Sequence, residues 1–324
     1  MAIMKRVLKR LLLGAETIPQ WATVGLHAPQ RHIQVWLDGL PESRAPLDLT
    51  RNATIAAMRP FTIATCISKH ISEQQLAQSS LSLVMRENLT DGRVLGRIYL
   101  TYNRSLDVSS GHQIALFEAK GHRNYCLSPL QLQLHYLLAQ RARRQTARTN
   151  AYNFDMAPPD LHSMFVFYIC PRPVVLVTTA WNGASNIFPM DLIGPTDSPY
   201  FLLALRRTSP AVQLMQRSRH IAFGDVPADY KDIAYDLGRH HKSESIDLSQ
   251  LPFETVLSPM WSLPVAKASL GVTEVEVEQS VSVGSHELFI TRIVHEQRWQ
   301  DGPQLFHISG LYQHYLAQRQ RALV

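Results

Sequence analysis

The sequence predicts a mainly β protein with flanking helices, an α+β fold made of two domains. Short apolar segments recur through both halves of the chain and are separated by turn dipeptides such as Asp38-Gly39 and Asp91-Gly92. One long helix, residues 127–144, is predicted between the halves from apolar residues at helical spacing. The charge balance also changes sign near residue 150, so we predict a boundary there.

Composition indicates a globular chain. The 324 residues are 45% apolar and 18% charged. Residues 1–150 carry 19 Lys and Arg against 9 Asp and Glu, a net +10, whereas residues 151–324 carry 13 against 17, a net −4. We therefore predict a β-rich accessory domain over 1–150, of unknown function and with helices at both ends, and a second domain over 151–324.

The first domain contains five strand-like segments and two helices. The strand-like segments are 32–37, 62–67, 81–85, 94–102 and 113–118. We read residues 1–14 as an amphipathic helix, because the apolar run Leu11–Leu13 is too short for a signal peptide. In the helix over 127–144, four leucines fall on one face. They are Leu130, Leu134, Leu137 and Leu138.

The cysteines and the charge distribution indicate in which compartment the protein is expected and which partners it could bind. Cys66, Cys126 and Cys170 form no C-x-x-C pair, which favours reduced thiols in the cytoplasm. No apolar run approaches the roughly 20 residues needed to span a bilayer. The basic run over residues 141–148 is interpreted as a solvated helix end and linker, or alternatively as a docking patch for a partner or nucleic acid. Sparse interleaving of aromatic and basic residues argues against nucleic acid.

The second domain alternates strands with short helices. Residues 272–283 alternate, and Val275 and Val277 are expected on one face. The other, exposed face would carry Glu274, Glu276 and Glu278. A helix is predicted over 228–237, ending at Gly238.

The most informative stretch is Met164–Asp191. It contains the strand Val174–Thr179, a turn at Asn182-Gly183 and the polar string Ser185–Met190. A hairpin of this kind offers backbone N–H and C=O groups at one edge, as a flat heteroaromatic ring requires.

This pattern resembles the flavin-reductase-like, FMN-binding split-barrel family. Further motifs similar to that family follow in the same order: Tyr200–Leu205, Arg206–Pro210, Ile221–Val226, Leu251–Glu254, Gly284–Ile290 and Leu305–Tyr312. The resemblance covers roughly residues 160–318. Asp191 and Thr291 depart from the family pattern, where Ser and Gly are common. The implied fold is an FMN-binding split barrel preceded by the accessory domain.

The resemblance implies FMN as cofactor and divides the candidate residues into two groups. The ring edge would be contacted by Thr178, Thr179, Ser185, Asn186 and the backbone at Ile187. The phosphate would be held by Arg206, Arg207, Thr208 and Ser209. Ser209-Pro210 also has the pattern of an N-cap followed by the first helical residue. The alternatives are a plain hairpin with polar turn caps and an ordinary capped helix.

The resemblance also implies the chemistry. His286 would lie near the flavin and the nicotinamide, and hydride would pass from NAD(P)H to the flavin and on to a small-molecule or flavin acceptor. A homodimer with the flavin at the subunit interface is expected. The rival reading is a non-catalytic split-barrel module that binds flavin or haem. No metal site is predicted, because the adjacent His240 and His241 lack a third ligand; they form either a plain loop or a contact for an anionic substrate.

Overall fold

The computed structural model describes residues 18–27, 32–40, 45–88, 92–108, 111–147, 156–196 and 199–319. The predicted helix over residues 1–14 lies outside these ranges. The strands of the first half are β1 (Trp21–Leu26), β2 (Ile33–Asp38), β3 (Leu47–Asp48), β4 (Thr54–Met58), β5 (Phe61–Ser68), β6 (Ser82–Glu87), β7 (Val94–Asp107) and β8 (His112–Asn124). Its helices are α1 (Glu73–Gln78) and α2 (Pro129–Ala147), and helix α3 (Pro158–Phe167) begins the second half.

After α3, the second half contributes eleven strands and three further α-helices to the described residues. The strands are β9 (Arg172–Pro173), β10 (Val175–Trp181), β11 (Ala184–Met190), β12 (Ile193–Pro195), β13 (Tyr200–Arg206), β14 (His220–Asp225), β15 (Thr255–Leu257), β16 (Pro264–Ala266), β17 (Gly271–Val283), β18 (His286–Arg298) and β19 (Gln304–Ser309). The helices are α4 (Ala211–Ser218), α5 (Lys231–Leu237) and α6 (Gly310–Gln318). The architecture is mainly β with flanking helices, as predicted.

Two antiparallel seven-stranded sheets dominate the fold. The first has the order β3-β2-β6-β7-β8-β5-β4, and the second has the order β11-β10-β14-β17-β18-β13-β12. A third, three-stranded sheet joins the ends of the chain in the order β1-β19-β9. All five strands predicted in the first half are present. Each begins within one residue of its predicted start, and two of them, β7 and β8, continue several residues beyond their predicted ends.

One apolar core continues across both large sheets. It contains Ile63 and Phe117 of the first sheet together with Phe223 and Phe289 of the second. Edge strand β4 packs against β13 and β18, and α3 packs on β7 and β8. The predicted domain division at residue 150 stays a prediction, and side chains on both sides of it share this core.

The apolar face expected for α2 is not its buried face. Leu130 and Leu137 are 80% and 63% exposed, whereas His135 and Ala139 are buried. The spacing therefore identified a helix but not the side that packs, because the opposite face packs against α3, where Tyr136 stacks on His162 with ring centroids 3.6 Å apart.

The exposure expected for Glu274 is wrong, although β17 alternates as predicted. Its register against β14 is unbroken, so Glu274 faces the side opposite Val275, but the carboxylate is fully buried because residues 258–265 cover that side of the sheet. It accepts hydrogen bonds from Ser258 Oγ at 2.6 Å and from the backbone N–H groups of Met260 and Trp261, each at 2.9 Å. The covering segment thus turns an expected surface carboxylate into an anchor for the loop before β16.

The β17–β18 turn locks the second sheet onto the first half of the chain. Ser285 N donates to Arg59 O at 2.9 Å, and Arg59 N donates to Ser285 Oγ at 3.1 Å. Gly284 permits this approach with a φ of +49°, since a Cβ at that position would lie 2.4 Å from Arg59 O.

We expect Gly284→Ala to lower the free energy of unfolding by about 1–3 kcal/mol, through backbone strain and the clash with Arg59. Gly183→Ala is the matched control, because Gly183 also has a positive φ but has nothing within 4 Å of its would-be Cβ. Urea unfolding of both variants measures the difference. Equal losses would show that the close approach of Gly284 to Arg59 adds no cost beyond the backbone strain that both variants share.

Candidate functional site

The β10–β11 hairpin is built by its turn. Asn182 and Gly183 both have positive φ, 47° and 82°, as a tight two-residue hairpin requires. Thr179 is buried, and its hydroxyl donates to His220 O at 3.2 Å. Thr178 is also buried, but its Oγ1 makes no hydrogen bond with any described residue.

The outer edge of β11 is covered by residues 239–246, which we call the strap. Ile246 N donates to Ser185 O at 2.9 Å, and Ser185 N donates to Ser245 Oγ at 3.1 Å. His240 Nδ1 lies 2.9 Å from Ile187 O. The backbone groups expected to face a ring are therefore engaged within the chain.

Asn186 holds the strap most firmly. It is fully buried, and its Nδ2 donates to His240 O at 3.0 Å and to Ser243 O at 2.7 Å. Its Oδ1 is buried without a hydrogen-bond partner among the described residues. Asn186 thus retains one unused acceptor at the hairpin.

The turn between β13 and α4 carries the candidate phosphate residues. Arg207 and Thr208 are exposed, whereas Ser209 is buried and its hydroxyl donates to His241 O. The predicted Ser209 N-cap is wrong by one residue, because Pro210 occupies the N-cap position and Ala211 begins the helix. The Ser209 hydroxyl serves the strap instead.

His286 lies beside this turn, opposite Arg206 in the β13–β18 register. It is buried, and its Nδ1 lies 2.8 Å from Ser285 Oγ and 3.4 Å from the N–H of Met58, which donates to it. Burial, and then the charge of Arg206, lower the pKa of His286 to about 3. His286 is therefore neutral at ordinary pH.

The strap links the two groups of candidate residues. His240 contacts the hairpin at Asn186 and Ile187, and His241 contacts the turn at Ser209. Burial lowers the pKa of His241, and Arg206 and Lys242 lower it further. In the sequence, the only indication of this link was the pair of adjacent histidines that follows the helix predicted over 228–237. The same pair was equally consistent with a plain loop.

An open groove of about 340 Å³ lies at the tip of the hairpin. Its wall includes Ser185 and the stacked pair His220 and Trp261, whose ring centroids are 3.8 Å apart with an interplanar angle of 7°. Trp181 also lines it and is 45% exposed. These flat aromatic surfaces, beside the candidate ring residues, were not identified from the sequence.

Comparison with known families decides the identity of this region. The model of the flavin reductase like domain matches residues 167–314. The C-terminal half is flavin-reductase-like. The resemblance predicted over roughly 160–318 is thereby confirmed, as is the predicted fold class. Comparison with curated proteins finds no match.

Several solved structures resemble the flavin-reductase-like half. An NADH:FAD oxidoreductase of Streptomyces globisporus is 17% identical, with a TM-score of 0.42, over 49% of this chain and 94% of that one. The flavin reductase component of a bacterial two-component tryptophan halogenase is 16% identical, with a TM-score of 0.41, over 46% and 93%. An FMN-binding protein from Thermus thermophilus is 22% identical, with a TM-score of 0.36, over 40% and 73%.

Among the helices within the described ranges, none is long and apolar enough to cross a membrane. The same residues contain no group of three or more His, Cys, Asp or Glu side chains that could hold a metal ion.

We expect Asn186→Ala to loosen the strap, because two hydrogen bonds of about 1 kcal/mol each are lost. Amide hydrogen exchange over residues 239–246 should accelerate at least about tenfold, on the same per-bond energies. Thr178→Val is the matched control in the same hairpin, since its hydroxyl has no partner. Unchanged exchange in Asn186→Ala would mean that other contacts hold the strap.

Proposed function

We propose that this protein is an FMN-dependent oxidoreductase that transfers hydride from NAD(P)H to flavin and then to an acceptor. The observation that supports this most is the match of residues 167–314 to the flavin reductase like domain. The same proposal includes a cytoplasmic homodimer with the flavin at the subunit interface. Three buried, free cysteines are consistent with a reducing compartment.

The phosphate end of FMN would be held by the turn before α4. Arg206, Arg207, Thr208 and Ser209 are the proposed residues. Arginine suits this role because its planar guanidinium donates two hydrogen bonds to one phosphate. Arg207 and Thr208 are exposed and accessible to a ligand, whereas the Ser209 hydroxyl is engaged by the strap.

The ring would lie along the hairpin, against Thr178, Thr179, Ser185, Asn186 and Ile187. Cross-strand pairing puts Thr179 and Asn186 on one face of the hairpin and Thr178 and Ile187 on the other. Asn186 Oδ1 is buried without a hydrogen-bond partner among the described residues. It suits a hydrogen-bond donor of the ring, so the face that carries Asn186 fits a flavin edge. Because the strap occupies the backbone edge, entry of the ring requires the strap to move aside.

A bound flavin would itself supply hydride acceptance, and the chain would supply placement. His286 is the proposed residue next to the reacting atoms. Since its pKa is about 3, it would act as a neutral imidazole that orients the nicotinamide and not as a proton donor. Arg206, directly opposite, would keep positive charge beside it.

The rival function is a split-barrel module that binds flavin or haem without turnover. The burial of His286 favours it, because a side chain that is only 1% exposed offers little contact to a nicotinamide. The absorption spectrum of the purified protein separates the two. A flavin spectrum bleached by NADH or NADPH supports the oxidoreductase, and one that neither donor changes supports the module.

We expect the double substitution Arg206→Ala, Arg207→Ala to weaken FMN binding about tenfold to a hundredfold, because charge-assisted hydrogen bonds to phosphate are lost. Riboflavin, which lacks the phosphate, should bind both proteins equally. Fluorescence titration measures each affinity. Arg292→Ala is the control, since Arg292 pairs with Glu276 and Glu278 on the surface. An equal loss for FMN and riboflavin would place the phosphate elsewhere.

We expect His286→Gln to lower kcat/KM for NAD(P)H about tenfold, through poorer orientation of the donor. The pH profile between 5 and 9 should keep its shape, because His286 does not ionise in that range. Stopped-flow reduction of the flavin at several pH values tests both points. His314→Gln on α6 is the control, since α6 lies outside both groups of candidate residues. An ionisation near neutral pH that vanishes only in His286→Gln would contradict the neutral role.

A further inference from the structure

The outward face of the first sheet carries an arginine pair between two exposed tyrosines. On the inner side of β7 and β8, Ile98 belongs to the apolar core and His122 contacts His162 of α3. Successive side chains of a strand point to opposite faces, so the neighbours of Ile98 and His122 point away from the core. Four residues point outward here, and we call them the aromatic–basic patch: Arg97, Tyr99, Arg123 and Tyr125.

The two arginines of the patch lie directly opposite each other in the β7–β8 register. Like charges at such positions repel and destabilise a sheet. Arg97 is held in place, because its Nη1 donates to Ser82 Oγ at 2.7 Å and its Nη2 lies 3.5 Å from Asp38 Oδ2. Arg123 is exposed, and its guanidinium makes no hydrogen bond or ion pair with any described residue. An anion between the two guanidinium groups would relieve their repulsion, so the pair points to an anionic ligand.

The two tyrosines lie on opposite sides of the arginine pair, because β7 and β8 are antiparallel. Tyr99 follows Arg97 by two residues on β7, and Tyr125 follows Arg123 by two residues at the end of β8. The N–H of Tyr125 donates to Leu95 O at 2.8 Å, so its backbone continues the sheet ladder. Tyr99 is 39% exposed and Tyr125 is 38% exposed. At about 3.3 Å for each residue of a strand, the tyrosines are about 13 Å apart along the sheet.

Small neighbours leave the Tyr99 ring uncovered. Its cross-strand partners are Ser82 on β6 and Gly121 on β8. A Cβ added at Gly121 would lie 3.7 Å from Tyr99 Cδ2, so the ring lies beside this glycine. The ring therefore has room for a flat ligand to stack on it.

The charge around the patch also favours an anion. Residues 1–150 carry a net charge of +10. The single carboxylate of Asp38 is shared by Arg97 and Arg86. At the border of the patch, Lys120 pairs with Glu118. The patch therefore keeps an excess of positive charge.

We propose that the aromatic–basic patch binds single-stranded nucleic acid. A phosphate would accept hydrogen bonds from both arginines, and the bases on either side of it would stack on the two tyrosines. One base cannot stack on two rings that are about 13 Å apart, so the patch suits linked nucleotides and not a free nucleotide. A duplex does not suit it, because the bases of a duplex are already stacked on one another.

Aromatic and basic residues are sparsely interleaved along the chain, and on that ground the sequence argued against nucleic acid. The strand register changes the arrangement, because it brings Arg97 beside Arg123 and places a tyrosine on each side of the pair. The candidate flavin residues all lie in the second half of the chain. The proposal therefore does not depend on the proposed oxidoreductase function.

Fluorescence anisotropy with the full chain and a fluorescein-labelled thymidine dodecamer tests the proposal. The unlabelled dodecamer, its duplex with the complementary strand, and AMP serve as competitors. We expect the duplex and AMP to compete at least about tenfold less well than the single strand, because neither offers linked unpaired bases. Raising the salt from about 50 to 200 mM should weaken binding, with a logarithmic slope of about −0.7 for each phosphate held.

Tyr99→Ala should weaken binding of the dodecamer about five- to hundredfold, because one stacked base is lost, whereas Tyr99→Phe should retain the affinity. Arg123→Ala should reduce the size of the salt slope by about 0.7, because one phosphate contact is lost. Tyr235→Ala and Arg292→Ala are the matched controls, since they remove an exposed tyrosine and a surface arginine from the second half.

Thermal unfolding confirms that each variant is folded, and Tyr125→Ala replaces Tyr99→Ala if the latter is not. Absence of binding, or equal competition by the duplex or by AMP, would overturn the proposal. Affinity that is unchanged in both Tyr99→Ala and Arg123→Ala would also overturn it, and would move any binding to the basic run over residues 141–148.

Discussion

The continuous apolar core between the two large sheets is the constraint on which the other features depend. Because both sheets bury side chains in it, polar groups that enter this region must find partners within the chain. Arg172 meets this requirement only in part. It is buried, its Nη1 donates to Ala53 O at 2.7 Å and its guanidinium lies 4.0 Å from the centre of the Phe167 ring, while Nε and Nη2 have no hydrogen-bond partner among the described residues. This arginine connects the start of the second half to the residue before β4. The negative charge of the nearby Asp191 favours the charged form of the arginine.

The same constraint shapes the strap. β11 is an edge strand, and an uncovered edge is prone to pair with other chains. The strap removes that hazard by using Ser185, Asn186 and Ile187 for internal hydrogen bonds. Those residues are also the ones that the family resemblance implicates in holding the ring. Protection of the edge and access to the proposed site therefore compete for the same atoms, and the energy of a few hydrogen bonds sets the balance.

Sequence reasoning succeeded where the signal is local. The Asn182-Gly183 turn adopts the positive φ values that its residue types favour, and the two strands it joins pair as expected. It failed where packing decides the outcome. The leucine face of α2 indicates a helix, yet the opposite face packs against α3. Glu274 fits an exposed position by alternation, yet the loop before β16 covers that side of the sheet and buries it. The candidate site was predicted as two groups of residues, but their connection through His240 and His241 was not.

The sequence by itself determined the fold class, the positions of the longer strands, the Asn182-Gly183 turn and the flavin-reductase-like character of the second half, because these follow from alternation, turn residues and ordered motifs along the chain. Only the tertiary structure decided which polar atoms are satisfied. Asn186 finds its partners more than 50 residues away, and His286 meets the backbone of Met58 from the opposite half of the chain. His307 reaches Asp191 across 116 positions. Such pairings depend on how sheets and loops pack against one another, and no local pattern in the sequence encodes that geometry.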